Sequence, residues 1–441
     1  MRAMKDSGVE WIGEIPQDWG VIKNKYLIDF LYSGGTPKAT EESFYCVSDG
    51  TPFVSISDMS NFKYVTTTKK QLTEAGVKDK QLMVLPSGTI LYSLYATVGA
   101  VSELRIEATI SQAILAIRLN HLVNKEFYKY SLLAMRDYIY SNASGNTQFN
   151  LNVEKVRNFY FVFPDLNIQQ IIADFLDSKC SKIDSIIEKQ QAVIEKLKEY
   201  KLSIITEAVT KGLNSDVEMK DSGVEGIGEV PKNWTTYRLK YLLQERKDAI
   251  RVGPFGSQLT SKDFVDDGFW VYTQRNVLDN DFTKTDTFIT YKKFNDMKGF
   301  SVEAGDVLVT TRGTGTTGHI VKVPKDFFAG IIHPCLMKFK LNENECLYDY
   351  LYYVFEFAKY LRTQIEVANN TSSLPVLYSN TLCNLYVVVP PKDIQCDLIR
   401  WLNDKSRELD GLIEKRKLVI DKLTEYKKSL IYEVVTGKKE V

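Results

Sequence analysis

A segment near the amino terminus recurs in the middle of the chain. Residues 5–19 read Lys-Asp-Ser-Gly-Val-Glu-Trp-Ile-Gly-Glu-Ile-Pro-Gln-Asp-Trp, and residues 220–234 read Lys-Asp-Ser-Gly-Val-Glu-Gly-Ile-Gly-Glu-Val-Pro-Lys-Asn-Trp. A second matched pair spans residues 168–210 and 394–436. Chance does not produce such agreement, so the chain is one structural unit written twice. Only the sequence between these flanks diverges, which predicts a shared scaffold with two different globular segments.

The second matched pair predicts two long helices. Their apolar residues alternate steps of four and three, the spacing that keeps one seam of a coiled coil facing a partner helix. A proline lies just before each segment and a glycine just after it, as expected at helix ends. Because both helices belong to one chain, we expect them to pair with each other, antiparallel, and the two chain ends to lie close together. The predicted seam comprises Ile183, Ile186, Val193, Leu197 and Tyr200 in the first helix and Leu409, Leu412, Val419, Leu423 and Tyr426 in the second.

The segments outside the helices predict mixed α/β domains. Short apolar runs bounded by Gly, Pro, Ser and Asn, such as residues 88–93 and 305–310, indicate strands. A more helical stretch follows in each half, at residues 126–141 and 346–366. The chain is therefore predicted to be an internal pseudo-twofold repeat in four parts: a globular domain at 1–163, a long helix at 164–212, a globular domain at 213–389 and a long helix at 390–441.

Composition excludes several classes of protein. Lys and Arg together number 56, as do Asp and Glu, so no overall basic charge indicates nucleic acid, and any DNA-binding surface is local or shared with other subunits. Six cysteines form no CxxC pair and there are only three histidines, which argues against a metal site or a disulfide framework. No apolar run of about 18 residues and no signal segment is found. We therefore expect a cytoplasmic protein without a membrane partner.

The chain carries no convincing catalytic motif. Residues 313–318 formally match GxGxxG, but the following residues are β-like, whereas a dinucleotide site needs a helix there. A GxxxxGK[ST] motif is absent. The histidines, His121, His319 and His333, accompany no evident Ser or Cys nucleophile. We expect no catalytic residue, no metal and no cofactor in this chain.

Polar loops recur at equivalent places in the two globular segments and contain side chains suited to base edges and phosphates. Arg275 and Arg312 are the strongest candidates, because Arg can bind guanine through two hydrogen bonds. Gln148, Gln258, Gln274 and Asn276 could bind adenine in the same way, although ordinary surface turns have the same composition. The predicted DNA contacts are Thr36, Lys38, Ser57, Tyr95, Thr97, Asn146 and Gln148 in the first half, and Ser257, Gln258, Gln274, Arg275, Asn276, Arg312, Thr314, Thr316, Thr371 and Ser372 in the second.

The repeated segment at 5–19 and 220–234, the Gly-Gly-Thr-Pro loop at 34–37 and the two Pro-flanked helices resemble the specificity subunits of Type I restriction-modification systems. The resemblance spans the whole chain. It implies two target-recognition domains held apart by antiparallel helices, which read a split, asymmetric site in double-stranded DNA. It also implies a non-catalytic chain that binds two modification subunits and the restriction subunits. S-adenosylmethionine for adenine methylation, ATP and magnesium are then expected in those partners.

Two other interpretations stay open. The chain could serve a fused restriction and modification enzyme of another type, which neighbouring genes would reveal. It could also be a coiled-coil scaffold that binds no DNA, although a scaffold does not explain two divergent, loop-rich domains. One departure from the family pattern is Gly226, which stands where the first copy has Trp11. This glycine is expected to weaken the packing of the second copy of the repeated segment, residues 220–234.

Overall fold

The computed structural model describes residues 2–59, 63–95, 97–141, 151–245, 249–369 and 376–441. The chain divides into two compact units. Unit 1 contains residues 1–191 and 417–441, and unit 2 contains residues 192–416. Each of the two long helices contributes one part to each unit.

The first half of the chain supplies the following elements. Its strands are β1 (Met4–Asp6), β2 (Glu14–Pro16), β3 (Gly20–Lys23), β4 (Ile28–Ser33), β5 (Tyr45–Cys46), β6 (Thr51–Val54), β7 (Tyr64–Val65), β8 (Lys70–Leu72), β9 (Ile90–Ser93), β10 (Val101–Leu104), β11 (Thr109–Ile110), β12 (Ile114–Leu119) and β13 (Tyr160–Phe163). Its helices are α1 (Ile56–Met59), α2 (Glu74–Asp79), α3 (Lys125–Ala134), α4 (Arg136–Ser141), α5 (Val153–Arg157) and the long α6 (Leu166–Lys211). Short 3-10 turns lie at Asn24–Tyr26 and Glu42–Phe44.

The second half supplies a matching set. Its strands are β14 (Met219–Asp221), β15 (Glu229–Pro231), β16 (Thr235–Arg238), β17 (Ile250–Val252), β18 (Phe264–Val265), β19 (Phe269–Tyr272), β20 (Phe288–Ile289), β21 (Val307–Thr310), β22 (Ile320–Lys322), β23 (Gly330–Ile332), β24 (Leu336–Phe339) and β25 (Tyr386–Val389). Its helices are α7 (Gln274–Leu278), α8 (Tyr291–Asp296), α9 (Tyr348–Phe357), α10 (Lys359–Asn369), α11 (Ser379–Asn384) and the long α12 (Lys392–Val435). Here 3-10 turns lie at Leu239–Leu242, Ser261–Asp263 and Lys298–Phe300.

The two units share one sheet topology despite their divergent sequences. In unit 1 the order β4-β12-β9-β10-β7 forms one sheet and β11-β6-β8-β5 another, while β3 pairs with β13. Unit 2 repeats four strands of the first sheet as β17-β24-β21-β22, with no counterpart of β7 among the described residues, and repeats the others as β18-β20-β19-β23 and β16-β25. The predicted mixed α/β fold, with an internal repeat, is confirmed.

The central strands are apolar without interruption because both of their faces are buried. In β9, Ile90 and Tyr92 pack into one core cluster and Leu91 into another. In β21, Val307 and Val309 face one cluster while Leu308 faces a second. Successive strand residues point to opposite faces, so a sheet that is covered on both sides requires an apolar residue at every position.

Each long helix ends at a glycine, and the tryptophan that closes one of the repeated segments, 5–19 or 220–234, packs against that glycine. Gly212 and Gly437 adopt the left-handed conformation that stops a helix. A Cβ atom on Gly212 would lie 3.2 Å from Trp234, and one on Gly437 would lie 2.7 Å from Trp19. Beyond Gly437, the ammonium of Lys438 donates a hydrogen bond to the carbonyl of Ile12 (2.5 Å). The expected proximity of the two chain ends is therefore confirmed.

The two long helices are paired inside each unit. In unit 1 the Lys427 ammonium lies 2.6 Å from the Asp184 carboxylate, so the first part of α6 lies beside the last part of α12. In unit 2 Lys201 lies 2.8 Å from Asp410, so the last part of α6 lies beside the first part of α12. This is the pairing of antiparallel helices, as expected.

The seam between the helices differs from the predicted one at five of its ten positions. Ile183 and Leu409 are buried, and Val193, Leu197 and Leu423 are half-buried. The exposed members of the predicted seam are Ile186, Tyr200, Leu412, Val419 and Tyr426. The residues one position later, which are buried or half-buried, are Ile187, Lys201, Ile413, Ile420 and Lys427.

This correction has a physical reason. Ile186 and Ile187 are both apolar, as are Leu412 and Ile413, so the pattern of hydrophobic residues permits either one in the seam. Lys201 and Lys427 occupy the seam in place of the predicted Tyr200 and Tyr426. The aliphatic stem of a lysine covers apolar surface, while its ammonium reaches a carboxylate on the neighbouring helix.

The substitution of Gly226 for Trp11 has the expected effect on packing. In unit 1 the buried indole of Trp11 donates a hydrogen bond to the carbonyl of Tyr160 (3.1 Å). In unit 2 Gly226 and Tyr386 instead line an open groove of about 1410 Å³. The amide of Gln364 replaces the indole as the hydrogen-bond partner of the Tyr386 backbone, but it does not fill the volume.

Candidate DNA interface

The polar loops of unit 2 meet around residues 333–336. The N–H of Gly253 donates to the carbonyl of Leu336 (2.9 Å), and the N–H of Thr311 donates to the carbonyl of Cys335 (3.0 Å). A Cβ atom on Gly253 would lie 2.3 Å from the carbonyl oxygen of His333, so only glycine fits there. The tertiary structure thus brings together the loops at 253–258 and 311–318, which lie far apart in sequence.

The backbone of Arg312 is held by two side chains. Its carbonyl accepts hydrogen bonds from the amide of Gln274 and from the hydroxyl of Thr316 (3.0 Å). The Arg312 side chain itself is exposed and makes no ion pair with the described residues. Its guanidinium is therefore available to a ligand. The amide of Gln274 thus supports the backbone of Arg312, and its predicted adenine contact stays a prediction.

Asn276 is corrected as a base contact. It is only 4% exposed, and its carbonyl oxygen accepts from the N–H of Thr273 (2.9 Å) while its NH₂ donates to the carbonyls of Asp281 and Lys284 (both 2.9 Å). No donor of this amide is left for adenine. The amide of Asn276 stabilises a tight turn, and the prediction that it binds a base is wrong.

The same turn exists in unit 1. The buried carboxylate of Asp58 accepts hydrogen bonds from the N–H of Ser55 (2.8 Å) and the N–H of Lys69 (3.1 Å). In both units the residue just before this buried side chain is exposed: Ser57 in unit 1 and Arg275 in unit 2. The conserved bonding therefore presents a different side chain to solvent in each unit.

The remaining predicted contacts fall into three groups. Lys38, Ser257, Gln258 and Thr314 are exposed. Thr36, Tyr95, Thr97 and Thr316 are half-buried, and Tyr95 packs against the core of unit 1. Asn146, Gln148, Thr371 and Ser372 lie outside the described residues.

The glycine-rich loop at 313–318 rests on a cluster that sequence reasoning did not assign. His319 Nδ1 lies 2.6 Å from the Glu356 carboxylate, and Arg362 donates to the carbonyl of Thr317 (3.1 Å) and to Glu356 (3.3 Å). The loop joins β21 to the antiparallel strand β22, whereas a dinucleotide-binding turn leads into a helix. In the sequence, the histidine directly after the glycine-rich loop was the feature that could have indicated this cluster.

His333 lies beside Arg312 in the loop cluster. Burial, and then the positive charge of Arg312, lower the pKa of His333 below its ordinary value of 6.5. Its Nδ1 accepts a hydrogen bond from the N–H of Cys335 (3.2 Å), so the neutral ring carries its proton on Nε2.

The free energy of unfolding should therefore depend on pH through His333. A histidine whose pKa is lower in the folded state binds its proton more readily when unfolded, so stability should fall as pH drops below about 6.5. His333→Asn keeps an acceptor for Cys335 but cannot titrate, and should reduce this slope in urea denaturation curves between pH 5 and 7.5. His121→Asn, at an exposed site, is the control. Equal slopes in all three proteins would contradict this role.

Two absences hold for the described part of the chain. None of its helices is both long and apolar enough to cross a membrane. None of its groups of His, Cys, Asp and Glu side chains could hold a metal ion.

Comparisons with known proteins agree with this architecture. The chain is 24% identical over 394 residues to the MjaIX Type I restriction enzyme specificity subunit of Methanocaldococcus jannaschii, covering 87% of this chain and 85% of that protein. It is 31% identical over 180 residues to the HindI specificity subunit of Haemophilus influenzae, covering 40% and 37% of the two chains. A solved chain from a study of complex assembly in the type I R-M system has the same fold, with a TM-score of 0.68 at 14% identity over 96% of this chain and 99% of that one.

The family model is matched once in each half of the chain. The Type I restriction modification DNA specificity domain matches residues 16–196 and again residues 231–422. These two matches include residues 166–196 of α6 and 392–422 of α12, about two thirds of each long helix, and most of the loops described above. The chain therefore belongs to the Type I restriction-modification DNA specificity family, with two copies of its domain.

Proposed function

We propose that this chain reads a bipartite, asymmetric site in double-stranded DNA, with one half-site read by each unit. The supporting observation is that equivalent loops share their backbone bonding but present different side chains. Ser57 corresponds to Arg275, since each directly precedes the buried side chain, Asp58 or Asn276, that holds its turn. Tyr95 corresponds to Arg312, each two residues beyond a central strand. Since hydrogen-bonding side chains at base edges determine sequence preference, unlike side chains on a shared frame select unlike half-sites.

In this proposal the chain is the non-catalytic member of a larger complex. It docks two modification subunits, and restriction subunits complete the nuclease. S-adenosylmethionine, ATP and magnesium are held by those partners. The balanced charge of the chain supports such sharing, because DNA affinity depends strongly on basic contacts to phosphates, and the partners would supply most of them.

Exposed apolar residues on the long helices support partner docking. Ile186, Leu418, Val419 and Tyr426 each expose more than a third of their surface on one or other helix. Protein interfaces bury such residues at their centres. A scaffold of helices alone would not need the two divergent loop clusters.

Arg312→Ala tests the assignment of one half-site to unit 2. The chain would be produced with its modification subunit, and methylated adenines would be mapped across a bacterial genome. The variant should lose about 1–3 kcal/mol of discrimination at one base pair, within one half-site only, because a bidentate arginine contact carries about that much. Gln274→Ala, which frees the Arg312 backbone, should relax the same half-site to a lesser degree.

Tyr95→Phe, which removes the hydroxyl but keeps the packing of the ring against the core of unit 1, is the matched variant and should change only the other half-site. If Arg312→Ala weakened methylation equally at all positions of both half-sites, it would indicate general electrostatic binding instead.

A further inference from the structure

One exposed arginine of the candidate interface is held by a carboxylate on its own turn. Arg275 donates from Nε to Asp279 Oδ2 (3.3 Å). Its side chain is 82% exposed and that of Asp279 is 58% exposed. Exposed ion pairs of this kind contribute little to stability. The stability of the fold therefore does not explain why Arg275 and Asp279 are paired.

We propose that Arg275 reads a guanine in the half-site of unit 2 and that Asp279 is the positioning residue that orients its guanidinium. This inference rests on the proposed function and adds a base identity to it. Guanine is read by two parallel hydrogen bonds from arginine to its N7 and O6 acceptors. Asp279 engages only Nε of Arg275, so the two terminal nitrogens keep their donors for the base.

The support beneath Asp279 is rigid. Asp279 is the residue at which helix α7 ends, and its N–H donates a hydrogen bond to the carbonyl of Arg275 (2.9 Å). The next residue, Asn280, adopts a left-handed conformation, and the N–H of Asp281 returns to the carbonyl of Asn276 (3.1 Å). A carboxylate on such a turn limits the rotamers of Arg275 before DNA arrives. Less side-chain entropy is then lost on binding.

The surrounding charge favours a base edge over a phosphate. Arg275 lines a cleft of about 270 Å³ together with the carboxylates of Asp279, Asp281 and Asp286 and the ammonium of Lys284. Three carboxylates against two cations repel a phosphate group. A guanine edge carries no net charge and offers the acceptors that the guanidinium needs.

Unit 1 has no arginine at the equivalent position. The equivalent residue is Ser57, whose hydroxyl lies 3.0 Å from that of Ser55. A guanine contact of the Arg275 type is therefore expected in one half-site only, the one that Arg312→Ala alters.

The test uses the complex with its modification subunit and duplexes that carry the genomic motif. Each guanine of that half-site is replaced in turn by 7-deazaguanine, which lacks only the N7 acceptor. In the wild type, one replacement should raise Kd about tenfold, the equivalent of one lost hydrogen bond to a charged group. Arg275→Ala should bind both duplexes equally. Asp279→Ala should reduce the effect of this replacement below about threefold, and Asp279→Asn, which keeps an acceptor, should restore part of it.

Controls separate positioning from general effects. Asp286→Ala removes a carboxylate of the same cleft that accepts a hydrogen bond from the hydroxyl of Thr287 (2.9 Å) rather than from Arg275, and it should retain the tenfold effect. The thermal unfolding midpoint of Asp279→Ala should equal that of the wild type. An undiminished tenfold effect in Asp279→Ala, or an equal loss in Asp286→Ala, would overturn the positioning role.

The two proposals fail in different ways. A bipartite motif whose unit 2 half-site is indifferent to every 7-deazaguanine would overturn this inference and leave the proposed function standing. A wild-type complex that methylates no bipartite motif would overturn the proposed function itself.

Discussion

Insertion of seven residues into each long helix, after Gln191 and after Arg416, is expected to lengthen the unread spacer of the DNA site by about three base pairs. These positions divide the helices between unit 1 and unit 2, so the contacts inside each unit stay intact. Seven residues add about 10.5 Å of helix at 1.5 Å each, which matches about three base pairs at 3.4 Å. They also keep the helix seam nearly in phase, since seven residues are close to two turns.

The spacer would be read from the methylated adenines of a genome that carries the variant. Both half-sites should keep their sequences, because the loops that read them are untouched. Seven residues inserted after Asn214, in the connection that follows α6, form the matched control and should leave the spacer unchanged. An unchanged spacer in the double insertion would show that the helices do not set the distance between half-sites.

Gln395→Leu is expected to lower the free energy of unfolding by about 3 kcal/mol or more. The side chain is fully buried, accepts a hydrogen bond from the N–H of Leu347 (2.8 Å), and donates to the carbonyls of Glu345 and Pro390 (both 2.9 Å). Leucine has a similar size but satisfies none of these three backbone groups. Each buried polar group left without a partner costs about 1–3 kcal/mol.

Unit 1 contains the matched glutamine. Gln169 is equally buried, accepts from the N–H of Asn124 and donates to the carbonyl of Pro164 (both 2.8 Å). Gln169→Leu should therefore destabilise unit 1, by less than Gln395→Leu destabilises unit 2, because two bonds are lost rather than three. Urea denaturation followed by tryptophan fluorescence measures both. A change below about 1 kcal/mol for Gln395→Leu would mean that water or the chain replaces the amide.

These glutamines show what a repeat can reveal when it is examined position by position. Both lie one turn into a long helix and fasten its start to the globular domain of the same unit. A polar residue kept at the same place in two diverging copies was visible in the sequence. Its burial was not, because its partners, Asn124 and Leu347, come from distant loops.

The sequence by itself determined the features that depend on neighbouring residues. The duplicated segments predict the repeat, proline and glycine bound the long helices, and uninterrupted apolar runs mark the central strands. Local backbone preference and hydrophobic periodicity act within a few residues, so they can be identified without the fold.

Only the tertiary structure decided which polar and apolar residues are used inside the protein. It assigned Ile187 rather than Ile186 to the helix seam, Asn276 to the turn and Gln274 to the backbone of Arg312. It also left Arg275 and Arg312 exposed at the loops. Each of these outcomes depends on burial and on hydrogen-bond partners supplied by remote segments, and a linear pattern of residue types contains neither.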